Sequence, residues 1–338
     1  MKYSLIIPVF NRPDEVLELL ESLSTQSFRD FETIIVEDGS SVPCRDVVEQ
    51  FSSKLDVKYF SKPNEGPGPA RNFGAAKAQG EWLIILDSDI IVPGGYFQAI
   101  EEELSAKASD AFGGPDRAHE SFTPVQKAIS YSMTSFFTTG GIRGGKKKLD
   151  KFYPRSFNMG IRREVYTALG GFSKMRFGED IDLSIRIFSN GYSCRLFPEA
   201  WVWHKRRTDL RKFFRQVHNS GIARINLYKK YPDSLKAVHL LPAAFTVGVA
   251  ALLLALIAGF VTASAVLCTI GLLPLVLYSA LIFLDSLRLN SNLKVALLSI
   301  PAAFVQLTGY GTGFIRAWWE RCIRGHDEFE AFKKNFYK

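Results

Sequence analysis

The chain has 338 residues, 47% of them hydrophobic and 22% charged, which excludes a disordered or collagen-like polymer and leaves room for two domains of ordinary size. Its net charge of +8 is unevenly spread: residues 1–140 carry −9, 141–236 carry +14 and 237–338 carry +3. Positive charge gathered just ahead of an apolar block suits a negative membrane surface and argues against nucleic acid as a partner.

From the N-terminus, the apolar run Leu5–Phe10 is short and broken by Pro8, so it does not form a signal-peptide core, and this end is expected to stay in the cytoplasm. Strands are expected over residues 3–9, 31–37, 56–61 and 81–86, separated by helical patterns, the clearest with Val16, Leu19, Leu20 and Leu23 on one face. Strand and helix alternating in this way argue for a parallel sheet covered on both sides, with ligands beyond the carboxyl ends of its strands. After the second strand comes Glu37-Asp38-Gly39-Ser40, and after the fourth Asp87-Ser88-Asp89. Asp38-Gly39 by itself is compatible with a plain turn. Asp87 and Asp89, two apart on extended backbone, point the same way and can share Mg2+ or Mn2+ through oxygens; the alternative is helix capping.

Arg71 lies one turn into a helix that Pro67 and Pro69 introduce, and is either a surface cation or a nucleotide or diphosphate contact, the glycines between Gly66 and Gly74 permitting close backbone approach. The stretch Gly140–Lys148 (GGIRGGKKK) reads as a mobile loop able to close over a donor. Glu179 and Asp180 open a helix continuing through Leu183, Ile187 and Phe188, where plain N-terminal capping is the simple explanation. His204 follows an apolar strand-like run, Leu196–Trp203, and is either structural or a further metal or diphosphate ligand. Lys205, Arg206 and Arg207 come next, then Thr208 is expected to cap a helix carrying Leu210, Phe214, Val217, Gly221, Ile225 and Tyr228 at helical spacing, with Arg211, Lys212, Arg215, Arg224, Lys229 and Lys230 around the rest. Such a helix either lies in an anionic lipid surface or packs under the catalytic sheet.

From Leu240 to Leu284 no residue is charged, a run of 45 that accommodates two membrane spans. A third uncharged stretch, Val295–Ile315, is weakened by Pro301, Gln306, Gly309, Gly311 and Gly313. The alternative is a buried helical hairpin in a soluble domain. Arg288 and Lys294 precede the third stretch and Arg316, Arg321, Arg324, Lys333 and Lys334 follow it; both groups favour the cytoplasm, which three straight crossings cannot satisfy. Either the third segment is re-entrant or one basic group is on the wrong side. The four cysteines, Cys44, Cys194, Cys268 and Cys322, are scattered and imply neither zinc nor disulfides.

Taken in order, PVFNRP (8–13), EDGS (37–40), NEGPGPARNFGAAKAQGEW (64–82), DSD (87–89), FNMGIRREVYTALGGF (157–172) and GED (178–180) resemble the family 2 inverting glycosyltransferases over roughly residues 1–215. The resemblance implies a GT-A fold, a Rossmann-like mixed α/β sheet with helices on both faces, over residues 1–207. An amphipathic interfacial helix and linker (208–236), a membrane domain of two or three helices (237–316) and a basic tail (317–338) would follow. It implies that Asp38 accepts the imide N–H of the base, with Pro8 and Val9 lining that pocket, which favours uracil or guanine and hence a UDP-sugar first. Asp87 would lie near the ribose, with Ser88 beside it, Asp89 would hold the metal against the diphosphate, and Asp180 would be the general base. Asn158, Gly171 and Glu179 would shape the acceptor side.

Processive polysaccharide synthases of this family carry Gln-x-x-Arg-Trp, whereas this chain has Gln216-Val217-His218-Asn219, which favours addition of one sugar. The expected activity is transfer from a nucleotide sugar to a lipid-linked saccharide acceptor by a multi-pass protein of the cell (inner) membrane with a cytoplasmic catalytic domain. Charging of polyprenyl phosphate itself, or a catalytically silent nucleotide-binding subunit, are the alternatives.

Overall fold

The computed structural model describes residues 1–119, 121–140, 152–175 and 177–327. Apart from Gly140, the glycine- and lysine-rich stretch 140–148 lies outside them. The described residues divide into two compact units, 1–119 with 147–205, and 120–146 with 206–338.

In the first unit the expected strands form β1 (Tyr3–Val9), β2 (Phe31–Asp38), β3 (Val57–Lys62) and β4 (Trp82–Leu86), joined by helices α1 (Pro13–Ser24), α2 (Arg45–Glu49) and α3 (Pro67–Ala75). Then follow β5 (Ile90–Ile91), α4 (Tyr96–Ala106), β6 (Ala111–Gly113) and β7 (Asp116–Arg117). In the second unit lie α5 (Pro124–Thr134) and α6 (Phe136–Thr139), after which the chain returns to the first with β8 (Asn158–Arg162), α7 (Arg163–Ala168), α8 (Glu179–Ser189), β9 (Cys194–Leu196) and β10 (Val202–His204). The main sheet has the order β3-β2-β1-β4-β8-β6-β9, with β8 antiparallel to both neighbours.

Strand alternation divides the core in two. Leu5, Ile7 and Val9 face α1, α2 and α4, while Ile6, Ile34 and Ile85 face α3, α7 and α8. Because β2 and β3 leave β1 on one side and β4 on the other, the crevice beyond the carboxyl ends of β1 and β4 is a topological switch point. A second sheet, β5-β10-β7, lies directly after this end: β10 pairs antiparallel with β5, placing His204 opposite Ile90, and parallel with β7, placing Val202 opposite Asp116.

The second unit is helical. α9 (Leu210–Lys230) is followed by α10 (Leu241–Val261), α11 (Ala265–Asn290) and α12 (Leu293–Trp318), the last three long and apolar enough to cross a membrane. Two expectations are corrected here. The cap of α9 is Asp209, not Thr208: its carboxylate accepts the Lys212 N–H at 2.7 Å, three residues on. Residues 121–140, placed by sequence inside the catalytic domain, instead pack in the helical unit, where Ala128 of α5 sits against Val295 and Ala302.

Most apolar residues of α9 are covered by protein: Phe213, Val217, Ile222 and Ile225 are buried, while Phe214 stays 37% exposed, and Gly309 and Gly313 of α12 are what let the two backbones approach. A Cβ at Gly221 would fall 2.2 Å from the Tyr310 carbonyl oxygen, and one at Gly313 would fall 2.0 Å from that of His218. Gly221→Val is therefore expected to destabilise the helical unit by about 1–3 kcal/mol, the usual cost of overpacking, measured as a lowered Tm in detergent. An unchanged Tm would show that this crossing does not hold the unit together.

Candidate active site

The site is assembled at the switch point from four chain segments of the first unit. The turn after β4 supplies Asp87, Ser88 and Asp89, β10 supplies His204, α3 supplies Arg71, and the first turn of α8 supplies Glu179 and Asp180. One ligand atom from each of Asp87, Asp89 and His204 falls within 4.8 Å of the others. His204 Nε2 is 3.2 Å from Asp89 Oδ1, its Nδ1 faces Asp116 Oδ2 at 3.9 Å, and its ring stacks on Phe157.

Two arginines complete the electrostatics. Arg71 is buried, donates from Nη1 to Glu179 Oε1 at 2.9 Å and from Nη2 to Asp87 Oδ1 at 2.8 Å, and lies over the Phe172 ring. This bridge ties the start of α8 to the end of β4. Arg12, just past β1, donates to Asp89 Oδ2 at 2.9 Å and to Glu15 at 3.3 Å, and Asp89 is the larger of the charges that raise its pKa against the opposing effect of burial. Glu179, enclosed by protein, has its carboxyl pKa pushed up to about 7, chiefly by burial, with Asp180 adding to the shift and Arg71 opposing it.

Asp180 sits in the first turn of α8 after Gly178, whose left-handed backbone turns the chain into the helix. It accepts the Ile181 N–H at 2.7 Å and lies 3.4 Å from Arg155 Nη1. Asp38 is buried: one oxygen accepts the Glu65 N–H and the Lys62 ammonium, both at 3.0 Å, and the other accepts the Gly66 N–H at 2.7 Å. These bonds fasten the loop that launches α3 and leave about one of the carboxylate's roughly four acceptor positions for another donor.

Two sequence assignments change, those of Val9 and Asn158. The Val9 side chain points into the core with α1, because residues 5, 7 and 9 share that face of β1, so the side chain does not line a ligand pocket, whereas Pro8 is half-buried on the opposite face. Asn158 is 0% exposed, and its amide accepts from Tyr96 and donates to Ala200, both within the core, so its side chain is not on an acceptor surface. Gly171 is buried in a left-handed turn where a Cβ would meet Asn72 Oδ1 at 2.5 Å. Glu179 pairs with Arg71 at 2.9 Å. Arg12 and Asp116 were missed by sequence reading; Arg12 stands at a strand's carboxyl end, the same signal that marked Asp38 and Asp87, whereas Asp116 has no signal until β7 is paired with β10.

Residues 4–170 match the family model described as glycosyl transferase family 2. That segment, just under half of the chain, is similar to the glycosyltransferases of that family, and three helices long and apolar enough to cross a membrane lie C-terminal to it. It is 28% identical over 225 residues to the probable glycosyltransferase YdaM of Bacillus subtilis, covering 64% of this chain and 53% of that protein. It is 31% identical over 115 residues to the GalNAc(5)-diNAcBac-PP-undecaprenol beta-1,3-glucosyltransferase of Campylobacter jejuni, covering 33% and 37%. The chain spans less than two thirds of the length of the curated relatives it matches. Its fold is that of the mannosyltransferase PcManGT from Pyrobaculum calidifontis, solved in complex with GDP-Man and Mn2+, with a TM-score of 0.61 and 20% identity over 91% of this chain and 87% of that one.

The raised carboxyl of Glu179 has a signed consequence. A folded-state pKa above the ordinary 4.5 means that the native state holds the proton more tightly than the unfolded chain. This contribution is fully present below about pH 4.5 and is lost as pH rises to about 7. In thermal melts, wild type should lose stability relative to Glu179→Gln across that window and run parallel to it above; a difference independent of pH would remove the raised pKa.

Proposed function

We propose that the chain is a metal-dependent, inverting transferase that moves one sugar from a nucleoside diphosphate donor, UDP-linked in preference, to a lipid-linked saccharide at the cytoplasmic face of the cell membrane. The observation that carries this reading is the meeting of Asp87, Asp89 and His204 within 4.8 Å, beside an α8 start tied to them through Arg71. Two carboxylates and one imidazole form a donor set of the kind Mn2+ accepts and Mg2+ tolerates, so the residues present fit a divalent ion, which would share the carboxylates with Arg12 and Arg71. Bound there, Mn2+ or Mg2+ supplies Lewis-acid stabilisation of the charge that builds on the leaving diphosphate.

The protein's own groups carry the remaining steps. Asp38 takes the N–H of uracil or guanine with its remaining acceptor position, and Pro8 borders the base. Arg12 and Arg71 add positive charge where the diphosphate would lie. Asp180 takes the proton from the acceptor hydroxyl as the new bond to the anomeric carbon forms, while the electrons of the breaking bond pass to the phosphate oxygen, inverting the centre without a covalent intermediate. Arg155, 3.4 Å away, orients the Asp180 carboxylate for this transfer. The lipid-linked acceptor is supported by the three apolar helices and by the similarity to the Campylobacter glucosyltransferase that acts on an undecaprenol-linked substrate.

Asp180→Asn should abolish transfer, on the order of 10²-fold or more, while nucleotide binding is retained, as expected for removal of a general base. Asp89→Ala should instead weaken Mn2+-dependent nucleotide binding, read by calorimetry. Full turnover by Asp180→Asn would point to an acceptor that is already anionic, such as polyprenyl phosphate. Failure of the wild type to release nucleoside diphosphate from any donor would favour a silent binding subunit.

A further inference from the structure

The three apolar helices of the second unit do not share one environment. α10 and α11 form a hairpin in whose distal half Gly259 packs against Cys268 and Gly271 against Leu252 and Leu256, while large side chains such as Leu254, Phe260 and Val266 are exposed. Of the most apolar stretch of each helix, 6% is buried in α10, 11% in α11 and 39% in α12, whose mean hydropathy is also lower, 1.3 against 2.5 and 2.4.

The contacts that join α12 to the hairpin fall near the hairpin's base. Ser299 meets Ser286 at 2.7 Å, Phe304 meets Tyr278 and Phe245, and Gly311 abuts Pro242 and Thr246. These partners occupy the second half of α11, from Tyr278 at its midpoint onward, and the first turn or two of α10, which belong to the basal half of the antiparallel pair. On its other side α12 is covered by α5, through Ala128 and Tyr131, and by α9 along most of its length: Leu210 packs near Leu298, Val217 against Gly309, Gly221 against Tyr310 and Tyr228 on Trp318. The outward side of α9 is mostly polar, with Arg211, Lys212, Arg215, Ser220, Lys229 and Lys230 exposed beside a 37% exposed Phe214. Arg215 directly follows Phe214, which lies near Gly309 of α12. A crossing by α12 would thus drag an exposed arginine and the polar side of α9 into hydrocarbon, where ionised side chains are rare unless they face a cavity or a partner.

We infer that the protein crosses the bilayer twice, as the α10–α11 hairpin. α12 lies at the membrane surface between the hairpin base and a water-facing layer made by α5 and α9. Gly309 and Gly313 of α12 serve this layer by admitting α9, and Gly311 admits the start of α10. Two crossings put Arg288 and Lys294 on the same side as Arg316, Arg321 and Arg324, so both basic groups satisfy the preference for the cytoplasm that three crossings leave in conflict. The inference is independent of which sugar or acceptor the active site uses.

Single cysteines in a full-length, cysteine-free background test it, labelled with a membrane-impermeant maleimide in sealed vesicles of known orientation. Thr262→Cys marks the hairpin tip, Ser52→Cys the catalytic unit, Ser220→Cys the outward side of α9 and Asp327→Cys the end of the described chain; all four positions are exposed. Reaction of Thr262→Cys from one face, and of Ser52→Cys, Ser220→Cys and Asp327→Cys from the other, is the expected result. Asp327→Cys reacting from the same face as Thr262→Cys would establish a third crossing and overturn the inference. So would a Ser220→Cys that reacts from neither face until detergent is added, because α9 would then be inside the bilayer.

Discussion

Arg71 is the residue on which the catalytic arrangement depends. Its guanidinium is buried, and both ends of the fork meet acidic side chains, Asp87 from the turn after β4 and Glu179 from the start of α8. One side chain thereby brings together segments more than 90 residues apart and fixes where Asp180, the next residue, stands. The order of the site and the stability of the domain are therefore linked through the same three groups.

Residues of similar chemistry around this centre do different work according to burial. Asp38 spends most of its acceptor capacity on the N–H groups of the loop before α3, and Asn158 spends its whole amide on core partners. Asp87, by contrast, keeps its side chain 31% exposed in the crevice. Buried polar groups must be satisfied internally, so those that are fully satisfied build the scaffold, and those with remaining capacity at the switch point are left for a ligand. Arg12, raised from the end of β1 toward Asp89, belongs to the second group.

The helical unit follows a different constraint. Its glycines are spaced to admit another backbone, and α12 joins a polar layer to an apolar hairpin by offering a different face to each. Composition alone reads those glycines as weakness in a membrane span; packing explains Gly311 as contact surface for α10 and Gly309 and Gly313 as contact surface for α9. Its apolar side is therefore met by α12, which is why a pattern suited to a lipid surface is found against protein.

The sequence by itself determined the alternation of strand and helix, the placing of chemistry at strand ends, the order of the motifs and the uncharged run of the hairpin. Each of these is written in local period or composition, which short-range backbone geometry and transfer from water fix directly. Tertiary structure alone decided that Arg71 bridges Asp87 and Glu179, that Arg12 and Asp116 stand beside Asp89 and His204, that the Asn158 side chain is enclosed in the core, and that α5 packs with α12. Those outcomes depend on which side chains meet across distant segments and on which are closed off from water, and neither meeting nor enclosure leaves a mark in the local pattern.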